Sequence, residues 1–430
     1  MKNILVSLFL LLISLSACSA PAREVVDKVW SGHHVNFALI SSRTHLYAGY
    51  YDAHRQLTIA ERDRAGGPWA YKKLDTFLGW DSHNYVALGL DQDDRLHVAA
   101  NMHASPLIYF MSAPGGDIAS LGQVDKLVAR ADETNVTYPV FLHDHAGRLI
   151  FEYRSGSSGN GDLIYDVFDT NTGYWSHLLN TPLIDGQGRY SPYIEGPVMG
   201  PDHDFHITWV WRDTPDASTN HDLSYAKSPD LIHWLKADGT PLALPMTFGH
   251  SEIVDPVPVR SGMINNDTVL GFDDQGRVMI TYHKYAGGGN TQVFVARYEG
   301  DHWNIRQISQ WRHFRWNVRG LGTIKTVLSV GGAEPAGNGL LRVPVTRHGR
   351  SSDLMIRADD LSFVEERPAT VLRQDLAAQI NVPDGMSVNV ATDPDCACAL
   401  AWTARPANRD MPYTTVTPPS DLILVSTATQ

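Results

Sequence analysis

Three features of the 430-residue sequence predict an all-β protein folded as a seven-bladed β-propeller. Apolar and polar residues alternate in short runs such as "RLHVAANM", "RLIFEYRS", "DFHITWVWR" and "RVMITYHKY", and no window keeps a 3.6-residue apolar period. Turns rich in Gly, Asp, Asn and Pro separate the runs. The runs also recur as a unit: an apolar strand, an acidic or Gly-containing turn, a second strand, a polar loop and a third strand, often closing on Trp.

Five copies of the unit are clear: Leu46 to Trp69, Tyr85 to Ser112, Val140 to Trp175, Ile194 to Trp234 and Val269 to Trp303. Two fainter copies surround "GLLRVPVTRHGRSSDLMIRADD" and "CACALAWTARPANRDMPYTTVTPPSDLILVST". The period of roughly 45–60 residues is that of propeller blades. Seven copies give seven blades. With no Pro/Ser linker and no shift in composition, residues 19–430 read as one propeller domain.

Residues 1–18 read as a signal peptide. Lys2 provides a positive start, and the run from Ile4 to Leu15 is apolar except for serines, too short to stay as a spanning helix. Leu15-Ser16-Ala17-Cys18 resembles a bacterial lipoprotein cleavage box, which would make Cys18 the lipidated first residue. Ser19 rather than Asp follows it, implying sorting to the outer membrane of a Gram-negative cell. Membrane contact is then expected through the lipid alone.

The remaining cysteines, Cys396 and Cys398, are too few for a disulfide framework and are expected to be small buried side chains. The net charge of −12 and the 10% aromatic content describe a soluble packed protein and argue against a nucleic-acid binder. An acidic protein that acts on an acidic polymer must gather its arginines locally.

Aligning the copies on their first turns shows where such gathering occurs. His83 precedes the first strand of one copy and His103 follows the second strand. The next two copies carry Tyr138 with Arg154 and Tyr193 with Arg212 at these positions, and a fourth ends its second strand on Tyr282-His283-Lys284. Packing does not require polar groups there, since burying them unpaired costs free energy. A rim of titratable and cationic groups is what an anionic ligand requires. His97 is read as strand interior, and His143, His145, His203 and His221 as solvated turn residues. Tyr138 also fits a core position, and Arg154 a salt bridge to Glu152 or Asp162. Zinc accepts histidines from separate strands, but only Asp81 stands near the pair as a third ligand, so the metal question stays open.

A uronate polymer would suit this rim. Its β-elimination needs a cation on the carboxylate, a base for the C5 proton and an acid for the leaving oxygen. His, with an ordinary pKa of about 6.5, suits the base role. Tyr can serve as the acid, and Arg forks onto carboxylate or sulfate. Hydrolysis asks instead for paired carboxylates, and Glu195, Asp213, Glu252 and Asp255 are not paired by position.

"DSHNYVALGLDQDDRLHVAANMH", "YRSGSSGNGDL", "FHITWVWRDT…NHDLSYAKSPDLIHW" and "ITYHKYAGG" resemble the BNR-repeat-containing β-propeller family that includes the ulvan lyases, over nearly all the mature chain. The resemblance implies a polysaccharide lyase that cleaves a rhamnose–uronate polymer by β-elimination. It implies catalytic roles for His83, His103, Tyr193 and Arg212, with Tyr190 as the competing tyrosine. Asn84, Arg154 and Lys284 are expected to bind sulfate or carboxylate on the same rim. Catalysis is expected to need no cofactor, with room left for a structural zinc or calcium ion. The partner is an anionic polysaccharide, and the protein is expected to be a monomer. The same propeller also hosts α-L-rhamnosidases, and a surface glycan-capturing lipoprotein is a third reading. "SPDLIHW" is only a degenerate form of the sialidase repeat.

Overall fold

The computed structural model describes residues 23–129, 131, 133–369, 380–393 and 395–426. The expected signal peptide and Cys18 lie outside them. The described residues form seven antiparallel sheets that follow one another along the chain, as in a β-propeller. Six are built from consecutive strands. The seventh combines Ser387–Asp393, Cys398–Ala404 and Ser420–Ser426 with the N-terminal strand Arg23–Val29. Arg23 pairs with Val425 and Val29 with Ser420, so the two ends of the chain share one sheet. This pairing gives the last sheet a fourth strand from the start of the chain and covers an edge that would otherwise stay open.

The acidic turns of the repeat are hydrogen-bonding devices. Asp91 Oδ1 accepts the backbone N–H groups of Asp93 and Arg95 at 2.8 and 2.9 Å. Asp144 does the same for Ala146 and Arg148, and Asp273 for Gln275 and Arg277. An Asp that satisfies its own turn reverses the chain without leaving backbone donors unpaired. In each case the Arg four residues on pairs with the same carboxylate. The first copy departs from the sequence alignment: its sheet begins one strand earlier, at Ala38–Ser41, and the Asp52 turn joins the second and third strands instead.

Neighbouring sheets approach closely. A Cβ on Gly89, in the inner strand of the second sheet, would lie 2.6 Å from the Phe141 ring of the third. One on Gly271 would lie 2.3 Å from the Ala333 carbonyl oxygen. Trp175 donates from Nε1 to Tyr109 Oη at 3.0 Å, and the same phenol bonds His97 Nδ1 at 2.5 Å. His97 is therefore buried strand interior, as the alternation predicts.

Two expectations are corrected. Cys396 and Cys398 form a disulfide, with Cα atoms 5.2 Å apart. Ala397 between them has φ +48°, which bends the chain and turns both sulfurs to one side. They are therefore bonded to each other and do not serve as thiolate ligands for a metal. His221 is not a solvated turn residue. It is buried in the strand Asn220–Ser228 between Asp213 and Asp222, which raise its pKa against the opposing effect of burial.

Candidate active site

The rim at the ends of the second strands carries the site. Asp81 opens the turn before the strand Val86–Leu90, accepting the His83 backbone N–H at 2.9 Å. That bond folds His83 back over its own carboxylate. His103 follows the strand Leu96–Ala100. Its segment is pinned to the third sheet by Ala104 N–H on Thr137 Oγ1 at 2.7 Å and by Val136 N–H on Ser105 O at 2.8 Å. The two imidazoles stack, with ring centroids 4.1 Å apart and planes 28° from parallel.

One carboxylate holds both rings. Asp81 Oδ1 lies 2.6 Å from His83 Nδ1, and Oδ2 lies 2.5 Å from His103 Nδ1. Burial pushes the Asp81 carboxyl up, but the bonds from His103 and His83 outweigh it and hold the group well below the usual carboxylate range. An ionised carboxylate only accepts, so each Nδ1 carries a proton. Each Nε2 is left to a ligand. The three side chains resemble a zinc donor set, and their ligand atoms lie within 4.8 Å of one another. In this arrangement their Nδ1–O separations are hydrogen-bond lengths.

Tyr138 faces the pair, its ring 5.9 Å from His83 and 6.4 Å from His103. It is not a plain core residue. Its φ is +59°, and the strand register shifts between Thr137 and Val140. Bulges of this kind re-aim side chains beside active sites, and a bulky residue at positive φ is strained. Tyr193 stands behind it at 5.9 Å. The Arg154 guanidinium lies 4.9 Å from the Tyr138 ring and 5.4 Å from the Tyr193 ring, and Arg212 lies 5.3 Å from Tyr193. Burial raises the Tyr193 phenol, but Arg154, Arg212 and a 2.6 Å bond to Ser158 hold it below its ordinary value. The Tyr138 phenol is raised, chiefly by burial.

The two arginines differ in what they have left to donate. Every nitrogen of Arg212 is engaged, through four of its five N–H groups: Nε donates to Thr214 O, Nη2 to Pro215 O, and Nη1 to Asn265 Oδ1 and Tyr193 Oη. Arg154 is 2% exposed, and Nη2 donates to Thr137 Oγ1 at 3.1 Å, while Nε and Nη1 have no hydrogen-bond partner. No ion pair to Glu152 or Asp162 forms; the guanidinium packs on tyrosine rings instead.

A cavity of about 530 Å³ is lined by His83, Tyr138, Arg154, Tyr193, Glu152 and Glu195, among others. Burial pushes Glu152 up to about 8, assisted by Glu195 and opposed by the nearby Tyr165 hydroxyl. Burial and the nearby Asp267 push Glu195 up to about 7. A second cavity of about 320 Å³ adjoins it, lined by His83, Arg212, Asn265, Asp267 and Trp316. The combination is a guanidinium with free donors, two imidazoles with free Nε2 atoms and a phenol below its ordinary value. It can hold an anion and move protons beside it.

The structure therefore brings His83, His103, Arg154, Tyr193 and Arg212 together. It places three other expected residues elsewhere. Lys284 is ion-paired to Asp255, with its ammonium 4.7 Å from the Phe294 ring. His283 takes the inward direction instead, 2.9 Å from Asp267. Neither Asn84 nor His103 lines a cavity; His103 joins the site through its stack on His83, whereas the Asn84 backbone carbonyl accepts the Tyr51 hydroxyl at 2.6 Å. Tyr190 packs against Trp211 and Phe248. Sequence reading had Asp81 only as a metal-ligand candidate and did not assign Glu152 to the site. The signals were Asp81-Ser-His83 as a side-chain turn and Glu152 two residues from Arg154 on one strand face.

A model of the BNR repeat-containing family matches residues 45–311. The chain belongs to that family. No curated protein matches the sequence. Among solved structures, an ulvan lyase of polysaccharide lyase family PL25 superposes with a TM-score of 0.62 at 15% identity, covering 95% of this BNR-family chain and 96% of that one. An ulvan lyase of the same family bound to a glucuronate–rhamnose-3-sulfate repeat gives 0.61 at 14% identity, over 94% and 95% of the chains. A further polysaccharide lyase gives 0.60 at 12% identity, over 92% and 90%. At these identities the shared property is the propeller fold.

Proposed function

We propose that this BNR-family protein is a polysaccharide lyase that cleaves a rhamnose–uronate polymer of the ulvan type by β-elimination. One observation carries the reading. Arg154 is a buried cation with two unpartnered donors, on the wall of a cavity that also holds an imidazole with a free Nε2. Leaving such donors unsatisfied costs free energy unless a ligand takes them. A uronate carboxylate supplies a matching pair of acceptors.

In the proposed step, the carboxylate docks on Arg154 and its negative charge is offset. Nε2 of His83 or His103 takes the C5 proton, breaking that C–H bond. The electron pair forms the C4–C5 double bond and expels the C4 oxygen with its own bonding pair. The Tyr193 phenol gives that oxygen a proton. The products are a 4,5-unsaturated uronate and a free hydroxyl, with no other reactant consumed. In this scheme Arg212, each of whose nitrogens already has an acceptor, acts through Tyr193. Tyr138, raised and therefore neutral, orients the pair. Burial raises Glu152 to about 8 and Glu195 to about 7, so Glu152 is mostly protonated at neutral pH and Glu195 about half so.

The proposal includes export and anchoring to the outer membrane through Cys18, action as a monomer, and no cofactor. Incubation with ulvan tests the activity. Rising ultraviolet absorbance from unsaturated uronate supports the lyase. New reducing ends or free rhamnose without absorbance point to a rhamnosidase-type hydrolase, and binding without either to a capture protein.

A further inference from the structure

The connection between the strands Trp303–Gln307 and Leu328–Val330 has two parts. Trp311, Phe314, Trp316 and Val318 anchor the first part in a buried apolar cluster. From 319 to 326 no side chain is buried and no residue belongs to a strand. Gly320 and Gly322 have φ of +111° and +66°, and Leu321 between them is 63% exposed. Yet this exposed segment walls the site. Thr323 and Thr326 line both cavities, with His83 and Asn266 as the other shared residues.

Ile324 packs, partly buried, against the same apolar cluster, and a small set of polar bonds completes the hold. Gly320 N–H donates to Asp216 Oδ1 at 3.1 Å, and Gly320 O accepts from Ala217 N–H at 2.9 Å. Thr323 donates to Asp410 through N–H at 3.1 Å and Oγ1 at 3.0 Å. Because the Thr323 hydroxyl proton goes to Asp410, the 2.7 Å contact with Ser82 has Ser82 Oγ donating to Thr323 Oγ1. Ser82 immediately precedes His83, so this bond sits at the boundary between the two cavities.

We propose that residues 319–326 form a strap that opens at the Thr323–Ser82 contact to admit the polymer, and that closing it separates the two cavities. The inference rests on the lyase reading. A chain cleaved at an internal uronate that occupies both cavities crosses the boundary that His83 and Thr323 share. A segment with no fully buried side chain, bent at two glycines and held by exchangeable polar bonds and the partial packing of Ile324, opens at low cost. A strap that stays shut would admit a polymer only by its end.

The double variant Ser82→Cys/Thr323→Cys tests this directly. Its disulfide would lock the contact, and the reduced form of the same protein is the folding control. With ulvan, the oxidised form should lose on the order of tenfold or more in turnover, with recovery in reductant, each relative to the wild-type protein under the same treatment, whose Cys396–Cys398 disulfide the reductant also reaches. Equal turnover by the oxidised and reduced forms overturns the strap. If the wild-type protein releases no unsaturated uronate, the lyase reading fails, and hydrogen exchange decides the strap alone. Amides of 319–326 exchanging far faster than those of Val278–Tyr285 support it, and equal protection overturns it.

Discussion

His83 and His103 lie ring on ring, 4.1 Å apart, each fixed through Nδ1 by one oxygen of Asp81. The carboxylate accepts from both Nδ1 atoms and so fixes the tautomer of each ring.

Asp81 is thus a positioning residue. In Asp81→Asn the amide accepts from one ring but presents N–H to the other, reversing that tautomer. We expect kcat to fall roughly 10–100-fold with little change in KM, as for other lost orienting partners. A raised KM with unchanged kcat would place Asp81 in substrate binding instead.

Arg154 should trade stability for function. Arg154→Met removes a buried, partly unpaired cation and keeps the packing on Tyr138 and Tyr193. The melting temperature should rise by a few degrees while kcat/KM drops on the order of 100-fold. Lower stability together with near-normal activity would mean that Arg154 is structural.

Tyr193 should set the alkaline limb of the activity. Its phenol lies below its ordinary value because Arg154 and Arg212 overcome burial. Removing a positive neighbour disfavours phenolate and raises the pKa. Arg212→Ala should therefore move the alkaline limb of the kcat/KM profile to higher pH while lowering the plateau. Tyr193→Phe should abolish turnover, whereas Tyr138→Phe should retain much of it. The opposite ranking would assign the proton to Tyr138.

Glu152 should make stability fall with rising pH. Its folded value of about 8 lies above the ordinary 4.5, so between these values the folded state holds a proton that the unfolded state has lost. The neutral form's stability is fully present below about pH 4.5, is lost progressively as pH rises, and is gone above about pH 8. Thermal melts should show Glu152→Gln gaining on the wild-type protein across that window. Parallel curves would contradict the shift.

The fold was legible because strand alternation and Asp turns are local. The first copy was misphased because the Asp52 turn looks like the others but lies at the opposite end of its sheet. His83, His103, Arg154, Tyr193 and Arg212 were legible because equivalent blade positions point to one rim. Lys284 lies away from the two cavities because a strand alternates faces: His283 took the inward side, and no sequence rule fixes which neighbour does. Tyr138 was ambiguous because its orientation depends on a bulge, and the role of Arg154 depends on which donors other loops occupy.

The most direct test of the account is the ultraviolet absorbance of ulvan digests by the wild-type protein, His83→Ala and His103→Ala, each checked for folding. The account predicts rising absorbance with the wild-type protein and none with either variant. Full activity in a folded His83→Ala protein, or new reducing ends without absorbance from the wild-type protein, would contradict it.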